Sequence, residues 1–185
     1  MAVTPSNMLP LGTKAPDFKL LDTISHKILS LSELKADKGT VIMFICNHCP
    51  FVIHIQKELI KLANDYQKKG IAFIAISSND AENYPDDAPN KMTTVAKQLG
   101  YPFPYLYDET QSVAKAYQAA CTPDFYIFDH QLKCAYRGQL DGSRPGNATL
   151  VTGKDMRAAL DNLLMGEPID PNQKPSAGCN IKWKT

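Results

Sequence analysis

Cys46 and Cys49 are the residues of this 185-residue sequence whose spacing most directly indicates chemistry. Two residues separate them, which at the start of a helix places their sulfur atoms about one turn apart, within reach of a disulfide bond. Dithiol–disulfide exchange needs a thiolate that attacks and a second thiol that resolves the mixed disulfide. The pair therefore predicts this chemistry, with Cys46 as the attacking thiol and Cys49 as the resolving thiol.

The residues around the pair favour a thiolate. Pro50 suits the first position of a helix, where its missing N–H costs nothing. The helix N-terminus would offer free N–H groups and a partial positive charge to Cys46, which lowers a thiol pKa. His48 would add to this effect if it were protonated, and its alternative is a solvated loop residue. We therefore include His48 with the two cysteines among the catalytic candidates.

A cysteine pair at this spacing can also form half of a zinc site. Cys121, Cys134 or a histidine would then have to complete the site, since the sequence has no second close pair. Accidental spacing is a further alternative, but strand, motif, proline and helix all agree with a redox site. We therefore assign no metal and no other cofactor.

The elements that must position the pair follow from hydrophobic patterning. An apolar run at 41–45 predicts a strand buried on both faces, directly before the cysteines. From Pro50, apolar residues at three- and four-residue steps predict a helix through Tyr66 that ends at Gly70. The remaining predicted elements are a strand or hairpin over 17–30, a short helix at 31–35, strands at 71–76 and 105–107, helices at 92–99 and 111–117, a hairpin of 125–128 with 133–137, and a helix to Leu164 that a Thr152–Asp155 capping box opens. This order predicts an α/β sandwich with a mixed sheet.

The whole-chain properties indicate one soluble domain. Residues 1–167 would form the domain, and the proline-bearing segment 168–185 would be an extended tail. A net charge of +1 points to no nucleic acid and no membrane surface. No apolar run is long enough to span a membrane, and the first residues do not resemble a signal peptide. We therefore expect a cytoplasmic location, where free cysteines are more often catalytic or metal-binding than structural.

Three segments carry a family resemblance. The opening at 12–18, Gly-Thr-Lys-Ala-Pro-Asp-Phe, the motif at 121–125, Cys-Thr-Pro-Asp-Phe, and the ending at 178–184, Gly-Cys-Asn-Ile-Lys-Trp-Lys, resemble the thioredoxin-like superfamily. Within it they are similar to the peroxiredoxin-like and thiol–disulfide oxidoreductase branch of AhpC/TSA-type redoxins. The resemblance implies a three-layer sandwich with a mixed central β-sheet, a cis peptide bond before Pro123 beside the reactive sulfurs, and a substrate-binding role for Thr122.

Several residues depart from the family pattern, and these departures allow the possible activities to be ranked. Thr40 stands where thioredoxins carry a buried aspartate, which leaves the proton acceptor for Cys49 unassigned. Met43 and Pro123 stand where peroxiredoxins carry the polar partners that polarise peroxide. We therefore rank a thiol–disulfide oxidoreductase first, a thiol peroxidase with Cys46 as peroxidatic cysteine second, and a redox-sensing or zinc-binding module third. Protein or small-molecule thiols and disulfides would be the partners in cell redox homeostasis or antioxidant defence, with an electron donor that the sequence does not identify.

The other three cysteines lie outside the pair. Cys121 adjoins the Thr-Pro motif, and both a resolving or regulatory role and an apolar packing role are open to it. Cys134 lies within the predicted hairpin, where packing is favoured. Cys179 lies in the tail and could be a resolving or regulatory thiol. We expect it to be exposed or disordered there.

Overall fold

The computed structural model describes residues 3–185. Its strands are β1 (Thr4–Pro5), β2 (Lys19–Asp22), β3 (Ile28–Ser30), β4 (Gly39–Phe44), β5 (Ile71–Ser77), β6 (Tyr105–Tyr107), β7 (Cys121–Thr122), β8 (Asp124–Phe128), β9 (Cys134–Gly138) and β10 (Ala177–Asn180). Its α-helices are α1 (Leu31–Leu34), α2 (Pro50–Gln67), α3 (Pro89–Leu99), α4 (Ser112–Ala116) and α5 (Lys154–Met165), and a short 3₁₀ helix covers Pro85–Asp87. No helix among residues 3–185 is long and apolar enough to cross a membrane.

Seven strands form the central sheet, in the order β3-β2-β6-β5-β4-β8-β9. β4, β5 and β6 are parallel, whereas β8, β9, β2 and β3 join their neighbours antiparallel. The sheet is therefore mixed, as the strand and helix order predicted. A second, three-stranded sheet has the order β1-β10-β7 and joins the two ends of the described chain.

Successive side chains of β4 point to opposite faces, and each face packs against its own set of helices. Val41 and Met43 belong to the cluster that contains the buried residues of α2, α3 and α5. Ile42 and Phe44 belong to the cluster on the other face, which includes Leu31 of α1 and the buried residues of α4. The molecule is thus a three-layer α/β sandwich, which confirms the predicted fold class.

The long helix α2 supports the cysteine pair. It presents six buried residues to the sheet at helical spacing, namely Val52, Ile55, Leu59, Leu62, Ala63 and Tyr66. Burying a large apolar side chain stabilises the fold by about 1.5–3 kcal/mol. This packing holds the N-terminus of α2 at the carboxyl end of β4.

The N-terminal caps of two helices differ from the sequence-based prediction. The predicted capping box of Thr152 and Asp155 is wrong, because Gly153 is the N-cap of α5 and makes no side-chain cap. The Asp155 carboxylate instead accepts a hydrogen bond from Gln139 Nε2 at 2.6 Å. A capping box does occur at α1, where Ser30 and Glu33 satisfy each other's backbone N–H groups.

Candidate active site

The cysteine pair occupies the short loop between β4 and α2. β4 ends at Phe44, Cys49 is the N-cap of α2, and Pro50 is the first helical residue. Both cysteines are nearly covered, with 2% of Cys46 and 0% of Cys49 exposed. Cys46 is the more exposed of the two only by this narrow margin.

Thr122 contacts both sulfur atoms from the end of β7. Its Oγ1 lies 3.4 Å from Cys46 Sγ, and its carbonyl oxygen accepts a hydrogen bond from the Cys49 thiol at 3.2 Å. The following peptide bond, between Thr122 and Pro123, is cis, as the family resemblance implied. Two loops that are 73 residues or more apart in sequence thus form the walls of one site.

Charge within the pair is distributed differently from the sequence-based expectation. A hydrogen bond from Cys46, with others from Cys179 and Thr122, lowers the pKa of the Cys49 thiol to about 4. The pKa of Cys46 is raised well above its usual value by that same hydrogen bond, by burial and by the negative charge of Asp87. The prediction of a lowered pKa at Cys46 is therefore wrong. Once the first proton is lost, the pair shares one negative charge and one proton between the two sulfurs.

His48 lies against an acidic residue that the sequence analysis did not select. Its Nδ1 is 2.6 Å from Oδ2 of Asp87, whose side chain is completely buried. The imidazole ring also stacks on Tyr84, with 5.9 Å between the ring centroids. His48 is therefore a partly buried component of the site and not a solvated loop residue.

Asp87 anchors the cysteine loop. Its Oδ1 accepts a hydrogen bond from the Asn47 backbone N–H at 2.7 Å, and its Oδ2 accepts one from Asn79 Nδ2 at 2.7 Å. The Asn47 side chain is held in turn by the Tyr105 hydroxyl, which donates to Oδ1 at 3.0 Å. One sequence feature could have indicated Asp87. It follows β5, and the carboxyl ends of parallel β4 and β5 meet at the same edge of the sheet.

The C-terminal segment forms the other wall of the site. β10 pairs antiparallel with β7, with Cys179 opposite Thr122. Cys179 is 3% exposed, and its side chain and backbone both hydrogen bond to Cys49. The expectation of an exposed or disordered Cys179 is therefore wrong. The tail contains a strand whose register brings a third thiol to the pair.

Cys121 and Cys134 are separate from this cluster of sulfurs. The Cys121 thiol donates to the Pro123 carbonyl at 3.5 Å, and burial raises its pKa. The Cys134 thiol donates to the Tyr136 carbonyl at 3.6 Å, and burial raises its pKa to about 12. These contacts are typical of cysteines that pack as small apolar side chains.

A cleft of about 300 Å³ opens beside His48. Its lining residues are Asn47, His48, Asp86, Lys91, Thr94 and Val95. The cleft borders the loop that carries the cysteines, and it offers a substrate room to approach that loop.

Comparison with known proteins identifies the family but not the reaction. No curated protein is significantly similar to the chain. A solved structure of an uncharacterized conserved protein from Geobacillus kaustophilus is 64% identical, with a TM-score of 0.98, and the match covers 100% of this chain and 97% of that one. A hypothetical protein from Sinorhizobium meliloti is 47% identical, with a TM-score of 0.96 and coverage of 98% and 99%.

More distant similarity shows the type of fold. The thioredoxin domain of a thiol-disulfide oxidoreductase from Bacteroides vulgatus is 18% identical, with a TM-score of 0.59, and the match covers 74% of this chain and 90% of that one. The architecture described above is therefore thioredoxin-like. The sequence model of the AhpC/TSA family matches residues 11–137, a segment that contains the cysteine pair, Thr122 and Pro123. Since this match extends over more than half of the sequence, the chain belongs to the AhpC/TSA family.

Proposed function

We propose that this protein is a thiol–disulfide oxidoreductase that exchanges electrons between the Cys46–Cys49 pair and substrate thiols or disulfides. One observation carries the proposal: both sulfurs lie at the N-terminus of α2 and both contact Thr122, the residue before cis-Pro123. This proximity supports the proposal, because disulfide exchange needs an attacking thiol, a resolving thiol and backbone groups for the substrate within one short gap.

The reaction begins with the single negative charge of the reduced pair. Transfer of the shared proton from Cys46 to Cys49 gives a Cys46 thiolate, which attacks one sulfur of a substrate disulfide. A bond forms between Cys46 and that sulfur, the substrate disulfide breaks, and the leaving thiolate takes a proton from water. Cys49 then loses its proton to water and attacks Cys46; the Cys46–Cys49 bond forms, the bond from Cys46 to the substrate breaks, and the second substrate thiolate leaves and takes up a proton. Two electrons pass from the pair to the substrate, and the reverse sequence oxidises substrate thiols.

The contacts of the arginines argue against a thiol peroxidase. The sequence contains three arginines. Arg137 donates to the Leu9 carbonyl and to Gln173, Arg144 to carbonyls of its own loop and to Gln139, and Arg157 to Glu58 and Asp65. None of these contacts directs a guanidinium at Cys46.

Met43 stands where a peroxiredoxin carries the other polar partner of peroxide. It lies in the fully buried strand β4 and offers no side-chain donor. Cleavage of a peroxide bond needs donors aimed at the developing negative charge on oxygen. We therefore place peroxidase activity second to disulfide exchange.

Stopped-flow kinetics of the reduced protein test this proposal. We expect fast reaction with a disulfide substrate and slow reaction with hydrogen peroxide. Cys46→Ser should abolish disulfide reduction, because the attacking sulfur is lost. Cys49→Ser should accumulate a mixed disulfide at Cys46, visible by intact-protein mass spectrometry. Cys134→Ser is the matched control, since it removes a buried thiol remote from the pair.

A different result would favour the peroxidase. If Cys49→Ser kept fast peroxide turnover while Cys121→Ser or Cys179→Ser lost it, Cys46 would be a peroxidatic cysteine with a remote resolving partner. The proposed oxidoreductase would then be wrong. A wild-type protein that fails to reduce any disulfide in the absence of metal ions would reject it as well.

A further inference from the structure

Three different kinds of metal-ligating atom meet beside Cys46. They are Cys46 Sγ, His48 Nδ1 and a carboxylate oxygen of Asp87, and all lie within 4.8 Å of one another. Cys46 and His48 come from the loop before α2, and Asp87 comes from the 3₁₀ helix after β5. This cluster takes no part in the exchange reaction described above beyond the Cys46 sulfur itself.

Asp87 is a buried carboxylate beside the poorly oriented imidazole of His48. It receives hydrogen bonds from the Asn47 backbone and the Asn79 side chain, both of which are neutral. The buried Nδ1 of His48 lies 2.6 Å from Oδ2 but makes no hydrogen bond there, because the ring does not point an N–H along that line. A carboxylate buried in this way is costly unless a positive charge compensates it. A cation held by the three groups would supply that compensation.

The donor set selects one class of cation. A thiolate, an imidazole nitrogen and a carboxylate oxygen are all ligands of Zn²⁺, whereas Mg²⁺ and Ca²⁺ take oxygen ligands. One Zn²⁺ would balance the charges of the Cys46 thiolate and the Asp87 carboxylate. The His48 side chain is 29% exposed, and its Nδ1 already lies within 4.8 Å of the other two ligand atoms.

We propose that the reduced protein binds one Zn²⁺ through Cys46 Sγ, His48 Nδ1 and the Asp87 carboxylate, with a fourth position left to water. Binding replaces the thiol proton of Cys46, which passes to solvent as the sulfur–zinc bond forms. The inference rests on the proposed function, because the ion occupies the sulfur that attacks the substrate and so suspends exchange.

Oxidation reverses the binding. When the pair gives two electrons to a substrate disulfide, the Cys46 thiolate becomes one sulfur of the Cys46–Cys49 bond and no longer ligates the ion. The site is therefore specific for the reduced state, and zinc would act as a reversible block on a resting dithiol.

Calorimetric titration of the phosphine-reduced protein with Zn²⁺ alone tests the site. We expect a stoichiometry of one ion per chain, with affinity lowered at least about tenfold in His48→Gln and in Asp87→Asn. Cys46→Ser and the oxidised wild type should not bind. Cys49→Ser should still bind, which distinguishes this site from one made by the two cysteines. Cys134→Ser is the control for a general effect of removing a buried thiol.

Cobalt spectroscopy gives a second readout that does not depend on activity. Co²⁺ should produce a thiolate charge-transfer band in the wild type and in Cys49→Ser but not in Cys46→Ser. Circular dichroism identifies a variant that has unfolded, and His48→Gln, at a partly exposed position, keeps the test valid if Asp87→Asn does not fold.

Three results would overturn the zinc site. They are no binding to the reduced wild type, unchanged affinity in both His48→Gln and Asp87→Asn, or loss of binding in Cys49→Ser alone. Each of these leaves disulfide exchange measured in the presence of a chelator unaffected. Failure of the zinc site is therefore separable from failure of the oxidoreductase.

Discussion

Gly178 is the position at which a single methyl group should disturb the active site most selectively. It lies in β10, directly before Cys179, where the strand crosses the Thr122–Pro123 loop. A Cβ built at Gly178 would lie 2.0 Å from the Thr122 carbonyl oxygen and 3.1 Å from Pro123 Cδ. Real Cβ atoms essentially never approach closer than 3.0 Å, so Gly178→Ala must separate the two strands by about 1 Å.

The displaced atom is part of the site. The Thr122 carbonyl oxygen accepts the hydrogen bond of the Cys49 thiol at 3.2 Å, and a shift of about 1 Å breaks that contact. Overpacking of this kind costs about 1–3 kcal/mol, which lowers the Tm of a chain of this size by about 2–12 °C. A misplacement of about 1 Å at reacting groups can cost up to about a hundredfold in rate. We expect disulfide reduction to fall between about tenfold and a hundredfold.

Thermal unfolding and stopped-flow reduction of a disulfide substrate measure the two effects. Gly142→Ala is the matched control, because its Cβ would meet nothing within 4 Å and its backbone does not need a glycine. That variant should keep the Tm and the rate of the wild type. If Gly178→Ala were as stable and as fast as Gly142→Ala, the close approach of β10 to the Thr122 carbonyl would have no functional meaning, and the reasoning would be refuted.

Three further measurements test separate parts of the structure. Burial raises the pKa of Asp124 to about 6. Its protonated form therefore stabilises the fold by up to about 3 kcal/mol at about pH 4, and this contribution is lost as pH rises through about 6. Urea unfolding of the wild type should show this fall in the free energy of unfolding with rising pH, and Asp124→Asn should not. Cys179→Ala should raise the pKa of Cys49 in a thiolate absorbance titration by removing a hydrogen-bond donor, and an unchanged midpoint, equal to that of Cys134→Ala, would contradict the assigned contact. Ser30→Ala should cost about 1 kcal/mol in urea unfolding, because the capping box of α1 is lost, and a cost near zero would mean that this short helix depends only on tertiary packing.

The sequence predicted the parts of the fold and site that depend on local pattern. β4 is an unbroken apolar run, and Pro50 with the periodic residues after it marks the start of α2. Each signal lies within a few residues of the cysteines that it positions. The central sheet, its mixed character and the cis-proline loop followed from the same kind of local information, together with the family resemblance.

The parts that escaped prediction depend on contacts between distant segments. Asp87 lies in a short 3₁₀ helix after β5, and although its position points to the edge of the sheet, no local pattern indicates that its carboxylate is buried and accepts from the Asn47 backbone. β10 is a strand of four residues with two small ones, so it has no periodicity to identify it. The charge distribution within the pair depends first on the hydrogen bond between Cys46 and Cys49, and then on these two segments, since one supplies a negative charge and the other hydrogen-bond donors.

The late position of β10 in the chain has a consequence for biosynthesis. β10 leaves the ribosome after every other strand and helix described here, whereas β1, its antiparallel partner at Thr4 and Pro5, is made first. Until β10 emerges, Cys49 is not covered by Cys179, and β1 has no strand to pair with. We expect the nascent chain to present its two redox thiols without their protective wall for most of synthesis. Newly made molecules should therefore be the fraction whose two redox thiols are most easily oxidised before the fold is complete.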